Sequence, residues 1–253
     1  MQAALSPGDD LWQRICAEAQ RGSAADPVFG KALIRAVLAH DDLAAALADL
    51  IACRLAGDAA EHARLVEAAV RAFRGEPKLV EAAALDLQGI ARRDPAVTGL
   101  LQPLLHHKGY AALQAWRVSN WLWRHDRADT ALLLQNEASR ALQVSLHPAA
   151  RIGSGVHLDH ATGIVIGANV VIADDVTILQ NVTISRTDPL PARAPRIGHG
   201  VFIGAGASIL GDVAIGDFAK VGAATLVTDD VPAGCTAVGN PARLTHCPEP
   251  ALP

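Results

Sequence analysis

The stretch IGHGVFIGAGASILGDVAIGDFAKVGAATLVT, residues 197–228, decides the fold, because an aliphatic residue returns at every sixth position: Ile197, Ile203, Ile209, Ile215, Val221 and Val227. A helix with 3.6 residues per turn cannot hold a six-residue period on one face. A stacked β-solenoid can, each repeat giving a short strand with its aliphatic inward and a glycine, Asn or Asp at the corner. Upstream, Ile152, Leu158, Ile164, Val170, Val176 and Val182 keep the same count. Between Val182 and Ile197 the phase slips by nine residues, and the intervening TISRTDPLPARAPR is rich in proline and arginine. Such an insertion reads as a surface loop, the usual place for function on a repetitive scaffold.

Residues 1–142 carry a different rhythm. Leu43, Leu47, Leu50, Ile51 and Leu55, or Val66, Ala69, Val70 and Phe73, repeat every three or four positions, as amphipathic helices do. Asp26-Pro27 places a capping acid before a proline at the first helical position, and Asp58-x-x-Glu61 reads as a capping box. Asp94-Pro95 and Gln102-Pro103 mark helix ends or starts, and Gly75, Gly89 and Gly109 read as punctuation. Six to eight helices are expected. The fold class is therefore α+β, with an all-α domain over 1–142 and a solenoid over 143–253 that includes the loop 184–196 and a tail 244–253.

With 22 Lys and Arg against 26 Asp and Glu, the net charge is −4, which lacks the basic excess of a nucleic-acid binder. No apolar run reaches about 18 residues, so no membrane span is predicted. Cys16, Cys53, Cys235 and Cys247 form no zinc-type spacing and are expected as reduced thiols in a cytoplasmic protein. A metal site on His157 and His160 has no evident third ligand, so no metal is expected.

The runs HPAARIGSGVHLDHATGIVIG (147–167), DDVTILQNVT (174–183), GVFIGAGASILGDVAIGDFAKVGA (200–223) and VGNPARLT (238–245) resemble the serine acetyltransferases of the hexapeptide-repeat acyltransferases. RRDPAV (92–97) and LLHHKGYAALQAWRVSNWLWRHDR (104–127) extend the resemblance into the helical half. It implies a left-handed parallel β-helix, trimers or dimers of trimers with active sites between subunits, and acetyl transfer from acetyl-CoA to the hydroxyl of serine or a related hydroxy amino acid.

A neutral alcohol needs a base to attack a thioester, and His160 matches the family's catalytic histidine; an imidazole suits proton transfer near neutral pH. Asp94 and Asp159 match acids that hold the acceptor's ammonium, and Arg193 matches the arginine that clamps its carboxylate. Ala205, Lys220, Ala223 and Arg243 fall at positions lining the CoA path. His106, His107, His199 and the cluster of Trp116, Trp121 and Trp123 read as packing or solvent-facing corners.

Departures from the family pattern surround the acceptor. Ser145 replaces the aspartate that orients the catalytic imidazole, and it can accept the ring N–H but brings no negative charge. Ser185-Arg186-Thr187-Asp188 replaces a glycine-rich turn, Arg193-Ala194 an Arg-His pair, and Ala168 a glutamate. The alternatives are a paralogue with another small acceptor or acyl-CoA, or a non-catalytic assembly partner. The final Pro253 replaces the isoleucine by which relatives dock into a sulfhydrylase, so no such complex is expected.

Overall fold

The computed structural model describes residues 7–187 and 193–248; Asp188 and the segment 249–253, both singled out above, lie outside them. Eight α-helices come first: α1 (Pro7–Ala25), α2 (Pro27–Leu33) running into a π-helical turn (Ile34–Leu38), α3 (Leu43–Leu55), α4 (Ala59–Gly75), α5 (Lys78–Arg93), α6 (Leu101–His106), α7 (Lys108–Arg124) and α8 (Ala128–Leu142). The caps form as their residue types require. Asp26 accepts from Val28 N and Phe29 N, and Asp58 accepts from Glu61 N at 2.8 Å while Glu61 returns a carboxylate oxygen to Gly57 N. Pro103 falls within the first turn of α6, where a missing N–H costs nothing. Helix α7 is the central element, burying Tyr110, Leu113, Trp116 and Leu122 and touching α3, α4, α5, α8 and the solenoid.

The chain then winds through β1 (Val144–Leu146), β2 (Arg151–Ile152) and β3 (His157–Leu158), and through β4 (Ile164–Ile166), β5 (Val171–Ile172) and β6 (Thr177–Ile178). A third coil holds β7 (Thr183–Ser185), β8 (Arg196–Ile197) and β9 (Phe202–Ile203), and a fourth β10 (Ser208–Leu210), β11 (Ala214–Ile215) and β12 (Lys220–Val221). β13 (Leu226–Val227) follows, then β14 (Thr236–Val238) and β15 (Arg243–Thr245). They form three parallel sheets, ordered β1-β4-β7-β10-β13, β11-β8-β5-β2 and β15-β14-β12-β9-β6-β3, with only the β14–β15 pair antiparallel. This is the left-handed hexapeptide β-helix.

All twelve aliphatics of the six-residue count are buried, yet the strand register shows that the count hides two insertions. Ile203 pairs with Val221, 18 residues on, which is one plain coil. Leu158 pairs with Ile178, 20 residues on, and Ile178 with Ile203, 25 on. Two extra residues therefore enter after Leu158, and seven more in the proline-rich loop. The nine-residue slip read from the sequence is the sum of both. Ile164 and Ile166 both face inward on β4, so counting by sixes moved from the strand position to the corner position without meeting a polar residue.

Two further expectations are corrected. Gly89 lies inside α5 and not at a helix end, while Gly109 marks the start of α7; each lets a helix approach the solenoid backbone, since a Cβ on Gly109 would stand 2.0 Å from Leu158 O, and one on Gly89 2.9 Å from Gly155 O. Cys235 and Cys247, expected as free thiols, are disulfide-bonded, because β15 doubles back along β14 and brings them together. Cys16 and Cys53 are free. Among the described residues no helix is long and apolar enough to cross a membrane.

Candidate active site

The two-residue insertion occupies the corner between β3 and β4, where His160, Ala161 and Gly163 all take positive φ (54°, 60° and 76°). The left-handed turn buries Ala161 and throws the His160 ring outward, leaving its side chain 74% exposed. Asp159 is the nearest carboxylate, with Oδ1 3.9 Å from His160 Nε2. On the other side, the same Asp159 Oδ1 is 3.8 Å from Nε2 of His157. Lys108, at the start of α7, closes the corner by donating to Thr162 Oγ1.

The ends of three helices converge on this corner. Asp94 follows α5 and uses Oδ1 to accept from Ala96 N at 2.9 Å, and His107 joins α6 to α7. Asp94, His107 and His157 each bring a ligand-type atom within 4.8 Å of the others, a combination of donors that a metal ion could share. His107 was expected to be helix packing; its ring instead stacks on His157 at a centroid distance of 6.2 Å. His160, the partner that the sequence offered to His157, is not in this group; both other members come from the helical half. His157 is buried, and its Nε2 has no hydrogen-bond partner among the described residues. Burial pushes its pKa down to about 4, aided by Arg93 and His107 and opposed by Asp159 and Asp94.

The sequence paired His157 with His160 and took His107 for packing, since no local spacing links residue 107 to residue 157. What assembles them is the close approach at Gly109. Ser145 differs from expectation. It sits on β1 beneath α8, where its Oγ accepts from Gln135 Nε2 at 3.1 Å, and no hydrogen bond among the described residues joins it to His160. Arg186 lies near His147, whose pKa is lowered by burial first and by the Arg186 charge second.

The remaining residues fall at two different edges of the three-sided coil. Ala205 follows β9 and Ala223 follows β12, in the same sheet and at the same corner as His160 after β3. Ala224 N donates to Ala205 O at 2.8 Å, so the two small corners stack. Lys220 on β12 and Arg243 on β15 belong to that sheet and are exposed. Small residues and cations thus share one sheet and its corner with the imidazole, on successive coils. Arg193 is also exposed, but it lies between β7 and β8, at the edge joining the other two sheets. Within one chain the coil separates it from His160.

The chain is similar to known proteins over most of its length. The family described as "Serine acetyltransferase, N-terminal" matches residues 11–115, and "Bacterial transferase hexapeptide (six repeats)" matches 194–229. The chain is 43% identical over 239 residues to the serine acetyltransferase of Salmonella typhimurium, covering 94% of this chain and 88% of that protein. A soybean serine acetyltransferase complexed with serine superposes with a TM-score of 0.91 at 41% identity, covering 96% of this chain and all of the other. A serine acetyltransferase in complex with CoA gives 0.90 at 42% identity, covering 93% and 99%.

Proposed function

The chain belongs to the serine acetyltransferase family, and we propose that it moves the acetyl group of acetyl-CoA to the hydroxyl of L-serine or a related hydroxy amino acid, with His160 as the base. The observation that carries this reading is the outward imidazole at the inserted corner, on the same sheet edge as Ala205 and Ala223 and the same sheet as Lys220 and Arg243.

In the proposed step the unprotonated ring nitrogen of His160 takes the hydroxyl proton as the oxygen attacks the acetyl carbon. The tetrahedral adduct then breaks its C–S bond. The departing thiolate recovers the proton from the imidazolium, leaving an ester and free CoA. Base catalysis of this kind contributes about 10²- to 10⁴-fold. Asp159, as the nearest carboxylate, supports the imidazolium as it forms and, with Asp94, attracts the acceptor's ammonium. Ser145, bonded to Gln135, is a weak contributor at most. Backbone groups at the Ala205 and Ala223 corners suit the amides of a pantetheine arm, and Lys220 and Arg243 suit its phosphates.

Arg193 fits the acceptor's carboxylate only if it comes from another copy, since its edge of the coil is not the edge of His160. We therefore read the working unit as a homotrimer, or a pair of trimers, with sites between neighbours. The deciding experiment is release of free CoA by wild type and His160→Ala with serine, homoserine and threonine as acceptors. Release that depends on acceptor and vanishes in the variant is expected; equal release from both proteins would remove His160 as the base.

A further inference from the structure

A second group of ligand-type side chains stands in the helical half, on elements that the acetyl-transfer site does not use. Asp49 and Cys53 lie one turn apart on α3 and face His62 in the first turns of α4. His62 Nε2 is 3.0 Å from Asp49 Oδ1 and 3.5 Å from Cys53 Sγ, and Cys53 Sγ is 3.7 Å from Asp49 Oδ2. A carboxylate and a thiol thus meet on the same ring nitrogen. With its N–H directed at Asp49 Oδ1 and the thiol directed at Asp49 Oδ2, imidazole and thiol crowd one carboxylate.

A nucleophilic triad is excluded by the same geometry. There the carboxylate engages one ring nitrogen and leaves the other for the thiol. Here both converge on Nε2. A cation between the three can replace these contacts, because thiolate, imidazole and carboxylate each offer it a lone pair and the three ligand atoms all lie within 4.8 Å of one another. With metal–nitrogen and metal–oxygen bonds of about 2.0–2.2 Å and a metal–sulfur bond of about 2.3 Å, a tetrahedral site has donor–donor edges of roughly 3.3–3.7 Å, which calls for only small adjustments.

Two neighbours bear on this site. His40, in the turn before α3, holds a buried Nε2 with no hydrogen-bond partner among the described residues, 3.6 Å from Asp49 Oδ2. The exposed Arg35 donates to Cys53 Sγ at 3.4 Å and has to swing into solvent for the sulfur to take a cation. We propose that Asp49, Cys53 and His62, with His40 beside them as a further donor, bind one divalent transition-metal ion of the zinc class. The mixed sulfur, nitrogen and oxygen set selects borderline cations over magnesium or calcium. Binding would tie the turn before α3 to α3 and α4.

Cobalt(II) added to the purified full-length protein, with its thiols confirmed reduced at Cys16 and Cys53, tests the site. One equivalent is expected to bind, with thiolate-to-cobalt charge transfer and tetrahedral d–d absorption that zinc then abolishes. Cys53→Ser should remove the charge-transfer band, and His62→Gln should weaken binding at least tenfold. His107→Ala, which alters the other three-residue group, should bind as wild type does, and Cys53→Ser should release CoA at the wild-type rate. Absence of stoichiometric binding, a charge-transfer band that persists in Cys53→Ser, or binding lost in His107→Ala but kept in His62→Gln would each overturn the proposal.

Discussion

Asp86 and Arg117 form a buried ion pair, Oδ2 to Nη2 at 2.6 Å, that joins the helical half to the first coil of the solenoid. Asp86 Oδ1 accepts from Val156 N at 2.9 Å, Gln114 Nε2 donates to Oδ2 at 3.0 Å, and Arg117 Nη2 also reaches Gly153 O at 2.9 Å. Burial pushes the Asp86 carboxyl up, against the pull of Arg117. Removing one partner leaves the other charged and unpaired, which costs about 3–5 kcal/mol. Asp86→Ala or Arg117→Ala should therefore lose about that much in urea denaturation, while Asp86→Leu combined with Arg117→Met should lose clearly less than the two single changes added together.

His157 predicts an acid-sensitive stability. Its folded pKa of about 4 lies below the unfolded value of 6.5, so between the two the unfolded chain binds the extra proton. Stability is thus full above about pH 6.5 and falls as the pH drops toward 4, by on the order of 3 kcal/mol. His157→Met should flatten this part of the profile of Tm against pH. An unchanged slope would show that another group carries it.

Gly109→Ala tests the contact that brings α7 to β3. The added methyl meets Leu158 O and Leu158 Cβ, next to the turn that carries Asp159 and His160. Overpacking of this kind costs about 1–3 kcal/mol. The variant should melt earlier and also lose acetyl transfer, whereas a drop in Tm with undiminished kcat would separate the packing from the site.

The two candidates for supporting the imidazole should behave differently. Ser145→Ala removes a hydroxyl already bonded to Gln135 and should alter kcat/KM by no more than about threefold, less than one hydrogen bond of about 1 kcal/mol can account for. Asp159→Asn should raise KM for the amino-acid acceptor by about tenfold or more, the scale of a charge-assisted contact. A larger effect at Ser145 than at Asp159 would reverse these roles.

Much of the architecture was legible locally. The six-residue return of aliphatics required a solenoid because it reflects the geometry of consecutive strands, and the caps at Asp26 and Asp58 formed because a short acid sits within reach of nearby N–H groups. The frame of the coils was not legible, since Ile164 and Ile166 are both buried and hydrophobicity alone cannot separate them. Only strand pairing revealed that two residues were inserted at the His160 corner.

The sequence by itself thus determined the two halves, the family and the imidazole, all of which depend on spacings within a few tens of residues. The tertiary structure decided what that imidazole faces. It brought Asp94 and His107 to His157, turned Ser145 toward Gln135, bonded Cys235 to Cys247 and set Arg193 on another edge. These groups come from separate elements, and how near they stand depends on where backbones can touch, as at Gly109, which no periodicity encodes.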